Sequence, residues 1–162
     1  KDGCTIFTFR SKNVKDYGVL KLNNLKKPKE IIEKPKKFIS DMIVTGLYFF
    51  KGDLFYYLKK IKKSRRGELE ITDLNNEYLK DKKLNYKELG RGFTWIDAGS
   101  HEKLLEASNI IYRVEKNSSF KIGLPEEIAY RKNLISKKQF IKLIEKNKNT
   151  DHKKYLKSII DE

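Results

Sequence analysis

Gly90-Arg91-Gly92-Phe93-Thr94-Trp95-Ile96-Asp97-Ala98-Gly99-Ser100-His101-Glu102 is the stretch that decides the fold class. An apolar run through Phe93, Trp95 and Ile96 rises to a single carboxylate, Asp97, and a glycine follows two positions on. Ser100 then stands where a helix N-cap belongs, with Glu102 in the first turn against the positive end of the helix dipole. The pattern predicts a strand over Phe93–Asp97 that delivers an acid to its carboxyl end, with a helix directly after it. In open α/β sheets ligands bind at the carboxyl ends of strands, so Asp97 is a candidate site residue.

Upstream the chain is strand-rich. Thr5 to Phe9 predicts a first strand, with apolar Ile6, Phe7 and Phe9 among β-branched threonines. A polar connection, Ser11 to Asp16, leads to a second strand, Tyr17 to Leu22, which Asn23-Asn24 turns back. Glu30 to Glu33 is a short extended piece stopped by Pro35. Ile43 to Phe50 is apolar on both faces, as in a strand covered on both sides. Asp53 is placed as the cap of a helix carrying Leu54, Leu58 and Ile61 on one side. A second helix, Glu70 to Lys80, puts Ile71, Leu74 and Tyr78 on one stripe, and Asn85 to Leu89 is a further strand.

Downstream of Asp97 the chain turns helical. His101 to Lys116 carries Leu104, Leu105, Ser108, Ile111 and Tyr112 at helical spacing. Pro125-Glu126-Glu127 opens a helix with proline at its first position and two carboxylates against the dipole. Ser136 with Gln139 forms a capping box for a helix that points Phe140, Leu143 and Ile144 inward. Glu145 to Lys154 is polar enough for a loose joint, and Asp151 caps a last helix bearing Tyr155, Leu156, Ile159 and Ile160.

The totals bound the function classes. The 162 residues suffice for one domain with a real core or for part of a larger one. Nine Tyr and nine Phe argue against disorder despite 36% charged residues. No segment approaches the roughly 20 apolar residues of a membrane-spanning helix. The single Cys4 cannot form an internal disulfide and is expected as a small buried side chain in the first strand, in a reducing cytoplasm. The net charge of +15 is almost all lysine, spread along the whole chain. No finger spacing, stacking signature or recognition helix accompanies it, so it indicates a solvated surface rather than nucleic-acid binding.

Three residues or groups can carry chemistry. In Glu33-Lys34-Pro35, adjacent strand residues point to opposite faces, and the proline holds Lys34 extended; the tripeptide is either an edge-strand end or an anion grip. Arg65-Arg66 before a helix is either a surface pair or a fork of donors for phosphate. Asp97 is either a helix cap or one of the one or two carboxylates that Mg²⁺ takes.

The motifs together resemble the glucose-1-phosphate thymidylyltransferases, a branch of the sugar-nucleotidyltransferases. The resemblance runs from about Thr5 to Ile135. It rests on Val-Thr-Gly-Leu-Tyr-Phe at Val44–Phe49, Arg-Gly-Glu-Leu-Glu-Ile-Thr-Asp at Arg66–Asp73 and Leu-Gly-Arg-Gly-Phe at Leu89–Phe93. His-Glu-x-Leu-Leu-Glu-Ala-Ser at His101–Ser108 and Pro-Glu-Glu-Ile-Ala-Tyr-Arg at Pro125–Arg131 complete it and favour the thymidylyl branch. Departures are local: Asn13-Val14 stands for Asp-Pro, Phe38 for proline, Asp41 for asparagine, Arg65 for a small residue, and Ala98 and Ser100 for threonines.

The resemblance implies an α/β fold, part of a nucleotide-diphospho-sugar transferase (Rossmann-like) mixed sheet with a helical carboxyl-terminal portion. Residues 1–100 would be the sugar-phosphate-binding half of the core, and 101–162 a helical region with regulatory and oligomer contacts. It implies transfer of a nucleotidyl group from dTTP to glucose 1-phosphate, giving dTDP-glucose for rhamnose and deoxysugar synthesis. Lys34 and Arg66 would hold the attacking phosphate as catalytic residues. Gly18, Glu33, Val44 and Trp95 would bind the sugar, and Asp97 would hold Mg²⁺ together with an aspartate of a Gly-Asp-Asn type motif. Gly90, Arg91, Glu127, Ile128 and Arg131 fall on family positions for an inhibitory dTDP-sugar, and the family is commonly tetrameric. The sequence starts in mid-strand without methionine and has neither that motif nor a Gly-rich triphosphate loop. It is therefore expected to be a carboxyl-terminal part, inactive alone. A uridylyl- or cytidylyltransferase, or a non-catalytic remnant that binds sugar phosphate, are the rival readings.

Overall fold

In the computed structural model the described residues are 3–64, 67–148 and 150–160. They divide into two units, 1–97 and 98–162, each with its own packing. The first unit is built on a five-stranded sheet of β1 (Cys4–Arg10), β2 (Gly18–Leu22), β3 (Pro28–Glu33), β4 (Met42–Phe50) and β5 (Leu84–Glu88). The strand order is β3-β2-β4-β1-β5, with β1 parallel to β5 and the other pairs antiparallel, so the sheet is mixed.

Period-two alternation sets the two faces of this sheet. On one face Cys4, Ile6, Leu20, Ile31, Met42, Val44 and Leu84 are buried under Tyr57 of α1 (Leu54–Leu58) and Leu74 and Tyr78 of α2 (Ile71–Lys80). The Tyr57 and Tyr78 rings lie 3.8 Å apart between centroids. Their hydroxyls donate to Asp81 Oδ2 at 2.8 Å and Asp53 Oδ1 at 3.0 Å, so neither buried phenol is left unsatisfied. Asp53 makes no side-chain cap bond to α1, contrary to the sequence expectation, because its carboxylate serves Tyr78 and Lys83. On the other face Val14, Val19 and Ile43 are buried against Phe9, Tyr17, Ile39 and Trp95. Val14 lies in the Ser11–Asp16 connection, which therefore contributes to the core although its composition is polar.

The β1–β4 ladder contains an irregularity. Cys4–Ile6 pair with Phe50–Tyr48 and Thr8–Arg10 with Val44–Met42, so Thr45, Gly46 and Leu47 oppose the single Phe7. Such a bulge needs a residue free of Cβ penalty, and Gly46 sits at φ +81°. The Thr45 hydroxyl donates to the Phe7 carbonyl at 3.0 Å and closes the gap. Because of the bulge, and because β2 meets β4 only at Val19–Ile43, β4 is not covered on both faces as its composition predicted. Leu47 and Phe49 are exposed. The α2 stripe also differs: Ile71 is exposed, and Thr72 and Asn75 are buried with Leu74 and Tyr78. Phe93–Asp97 is not a strand. No ladder forms there among the described residues, and the segment is held instead through the Trp95 side chain.

The second unit is helical: α3 (His101–Lys116), α4 (Pro125–Arg131), α5 (Lys137–Lys146) and α6 (Thr150–Ser158). Ser100 Oγ accepts from the Lys103 amide at 3.2 Å and caps α3. Ser136 and Gln139 form the capping box of α5, with Gln139 Oε1 accepting from the Ser136 amide at 2.7 Å. Phe140, Ile144, Leu156 and Ile159 make the core, and the Tyr130 ring stacks on Phe140 at 4.4 Å. Leu143, expected inward, is exposed; the buried stripe of α5 consists of Phe140 and Ile144, one turn apart, which pack with Leu156 and Ile159. The expected loose joint is short, since α5 continues to Lys146 and α6 begins at Thr150. Asp151 therefore lies within the first turn of α6 rather than before it.

Burial pushes the Cys4 thiol up to about 12, with the Asp53 charge adding to it. Burial likewise raises Tyr48, to about 12, and Tyr78. A raised folded-state value means that above the ordinary range the unfolded chain has released protons that the folded chain still holds. Stability contributed by these groups is therefore present at neutral pH and lost as pH rises into the alkaline range. At pH 8 a thiol-reactive chromogenic disulfide should leave Cys4 untouched in the native protein and titrate one thiol after denaturation. Fast labelling of the native state would show that β1 is not packed as described.

Candidate active site

A cleft of about 300 Å³ opens where the ends of β2, β3 and β4 meet the start of α2 and the 93–97 segment. Gly18, Glu33, Lys34, Val44, Trp95 and Asp97 all line it, so six of the sequence-derived candidates come together. Asp16, Tyr17, Thr45, Gly46, Tyr48, Ile71 and Thr72 complete the wall. Arg66 and its neighbour Arg65 lie outside the described residues. Of the described residues beside them, the Ser64 amide donates to the Glu68 carbonyl at 2.8 Å and the Gly67 amide to the Ser64 carbonyl at 2.9 Å.

Each side chain is positioned by an identifiable local cause. Gly18 and Glu33 face each other in the β2–β3 ladder. A Cβ on Gly18 would stand 3.1 Å from Thr72 Oγ1 and 3.2 Å from Glu33 Oε2, so the glycine makes room for that pair as well as for a ligand. Lys34 is not extended, as the following proline predicted. Its φ is +43°, a left-handed conformation that Cβ-bearing residues rarely adopt and that costs about 1–3 kcal/mol. Its amide donates to the Tyr17 carbonyl at 3.0 Å, which carries the β2–β3 pairing one step past the strand end and over-determines the strained backbone.

The Trp95 indole donates to the Thr45 carbonyl at 3.1 Å, at the bulge. Tyr17 meets the Trp95 ring edge-on at 5.2 Å, and Phe9 lies 6.2 Å away. These contacts place Asp97, two residues on, at the cleft. Asp16, Glu33 and Asp97 supply carboxylates, and Lys34 supplies a cation. Tyr48, raised by burial and by the charge of Glu33, stays a neutral hydrogen-bond donor at physiological pH. The described residues contain no group of three or more potential metal ligands. Asp97 at the cleft is still of the donor type that Mg²⁺ uses, since that ion takes one or two carboxylates and draws its other ligands from water and phosphate.

Sequence reasoning missed Thr72 and Asp16. Thr72 is nearly fully buried, and its hydroxyl donates to Glu33 Oε2 at 2.5 Å. The signal was present: Thr72, Asn75 and Asn76 are polar residues beside the apolar positions of α2, where a plain core stripe would carry none. Of the remaining candidates, Gly90 and Arg91 are exposed in the turn after β5, closed by the Phe93 amide donating to the Gly90 carbonyl at 3.3 Å. Glu127, Ile128 and Arg131 belong to α4 in the second unit. Glu127 is not a plain exposed partner of Arg131. Its Oε1 accepts from Arg131 Nε at 2.8 Å while Oε2 accepts from the Tyr155 hydroxyl at 2.7 Å, tying α4 to α6.

Residues 1–113 match the profile of the family described as Nucleotidyl transferase. A glucose-1-phosphate thymidylyltransferase of Neisseria meningitidis is 39% identical over 154 residues, covering 95% of this chain and 54% of that protein. One from Xanthomonas campestris is 38% identical over 159 residues, covering 98% and 54%. The chain thus spans about half the length of the curated relatives it matches. Among solved structures, a Bacillus anthracis protein assigned as a glucose-1-phosphate thymidylyltransferase, in complex with sucrose, superposes with a TM-score of 0.60. It is 41% identical over 68% of this chain and 44% of its own. A UDP-glucose pyrophosphorylase complexed with UDP-glucose gives a TM-score of 0.61 at 27% identity, over 69% and 45%. With 113 of its 162 residues matched by the family profile, and a mixed sheet that superposes on solved members, the chain belongs to the nucleotidyl transferase family.

Proposed function

We propose that these residues form the sugar-phosphate half of a glucose-1-phosphate thymidylyltransferase, which joins dTTP and glucose 1-phosphate into dTDP-glucose and pyrophosphate. The observation that carries this reading is the single cleft lined by Gly18, Glu33, Lys34, Val44, Trp95 and Asp97. Its chemistry suits a sugar phosphate: a carboxylate to accept from hydroxyls, a cation for phosphate, and an indole wall for the apolar face of a ring. The names of the Neisseria and Xanthomonas relatives favour the thymidylyl branch.

An oxygen of the sugar phosphate attacks the α-phosphorus of the triphosphate. The bond from that phosphorus to the bridging oxygen breaks, and pyrophosphate leaves with the electron pair. No covalent enzyme intermediate is needed, so the residues work by alignment and charge neutralisation. Lys34 orients the attacking phosphate, Glu33 fixes the sugar through its hydroxyls, and Trp95 excludes water from one side. Arg66 is assigned a second phosphate contact. Asp97 would hold Mg²⁺, whose chemistry when bound is to neutralise charge on the triphosphate. The setting would be the cytoplasm, the pathway deoxysugar synthesis, and the assembly a homotetramer, to which exposed Leu104, Leu105, Ile111 and Tyr112 of α3 lend support. Glu127, Ile128 and Arg131 are assigned to an inhibitory dTDP-sugar. A uridylyltransferase is the second reading, favoured by the likeness to the UDP-glucose-bound pyrophosphorylase.

In the complete protein, dTTP should outcompete UTP as nucleotidyl donor to glucose 1-phosphate, measured by pyrophosphate release; a preference for UTP replaces the first reading with the second. Lys34→Ala should raise the KM for glucose 1-phosphate roughly tenfold to a hundredfold, the worth of a charge-assisted contact, with little change for dTTP. A rise confined to dTTP would assign Lys34 to the other substrate. The 162 residues alone should release no pyrophosphate above background, since the sequence has no Gly-rich triphosphate loop. Arg131→Ala should leave uninhibited turnover within about twofold while weakening inhibition by dTDP-rhamnose several-fold. Unchanged inhibition, or lost basal turnover, would give α4 a different role.

A further inference from the structure

The first turn of α2 carries a contact that its helix does not need. Thr72 is nearly fully buried, yet its hydroxyl reaches across to β3 and donates to Glu33 Oε2 at 2.5 Å. Serine and threonine near helix starts ordinarily bond their own local backbone. Here the partner lies 39 residues away in sequence.

One turn later on the same helix face, Asn76 treats β3 as a neighbouring strand would. Its Nδ2 donates to the Ile31 carbonyl at 2.8 Å, and its Oδ1 accepts from the Ile31 amide at 3.1 Å. Four helical residues rise about 6 Å, and two strand residues about 6.6 Å. The Asn76–Ile31 clip therefore fixes the register at which Thr72 meets Glu33, with helix and strand running in opposite directions. From the other side, a Cβ at Gly18 would press on both oxygens of the pair, so the β2 backbone leaves space for this bond. Among the described residues no hydrogen bond reaches Glu33 Oε1.

We propose that Thr72 is a positioning residue: its hydroxyl holds the Glu33 carboxylate in one orientation, so that Oε1 is presented to the hydroxyls of the bound sugar. The inference rests on the reading of the cleft as a sugar-phosphate site. Its chemistry is specific. A hydroxyl donor fixes the carboxylate without cancelling its charge, as a cation would, and so leaves a full acceptor for ligand O–H groups. The rotamer freedom of Glu33 is lost on folding rather than on binding, which favours the ligand.

The test is calorimetric titration of the complete protein with glucose 1-phosphate and, separately, with dTTP. Thr72→Val, which keeps shape and loses the hydroxyl, should weaken glucose 1-phosphate about tenfold and leave dTTP within about twofold. Thr72→Ser should restore binding. In the background of Glu33→Gln, adding Thr72→Val should cost nothing further, because two residues acting through one group are not additive. Should Thr72→Val melt below the assay temperature, Gly18→Ala disturbs the same pair from β2 and should show the same non-additivity with Glu33→Gln. Wild-type affinity in Thr72→Val, failure of serine to rescue, or full additivity with Glu33→Gln each overturns the inference while the site stands. Absence of glucose 1-phosphate binding by the wild type overturns the site itself, and the inference with it.

Discussion

The slip in pairing between β1 and β4 is the constraint on which the cleft depends. Three residues of β4 stand opposite Phe7, and the chain accommodates them only because position 46 is a glycine in the left-handed region. That local excess turns the Thr45 carbonyl out of the ladder, where the Trp95 indole finds it. Trp95 in turn anchors a segment without a strand partner among the described residues and brings Asp97 to the same opening as Glu33 and Lys34. A regular ladder would bury the Thr45 carbonyl in a strand pair and leave the 93–97 segment without this anchor.

The electrostatics of the cleft run against those of the chain. The sequence carries +15 net charge, yet three carboxylates and one ammonium line the opening. The two scales have separate effects. A broadly positive surface draws phosphorylated ligands towards the protein and is weakened by salt. In the proposed site, discrimination would belong to fixed groups at short range: the Glu33 carboxylate, the neutral Tyr48 phenol and the strained Lys34. The lysine excess therefore needs no binding face of its own, consistent with its even spread along the sequence.

What the sequence revealed depended on how local the governing physics was. The α3 bounds and the Ser136–Gln139 capping box were legible because caps are set by residues three apart. The strand segments at β1, β2 and β4 were legible from composition and alternation, and the burial of Cys4 from its residue type. Most of the failures involve distant partners. Asp53 does not cap α1 because Tyr78 and Lys83 compete for it. Phe93–Asp97 has the composition of a strand but pairs in no ladder among the described residues. Ile71 lies outward because Glu33 recruits Thr72 to the buried side. Lys34 escapes the geometry that Pro35 favours because a hydrogen bond from its amide to Tyr17 holds it. Among the cleft residues, Gly18, Glu33 and Lys34 were named through the family resemblance and Asp97 through the apolar run that ends on it, and all four line the same opening. Thr72 stayed invisible because its importance lies in a bond that periodicity does not encode.

The left-handed backbone at Lys34 sets stability against recognition at one position. Glycine is the residue that would relax this conformation, since it lacks the Cβ that makes it costly. Glycine is also the residue that can bring no ammonium to the cleft. Substitutions at this site therefore face a trade-off in which the most comfortable backbone is the least useful one. A survey of tolerated residues selected for folding alone would be drawn towards glycine, whereas the proposed phosphate contact requires the lysine.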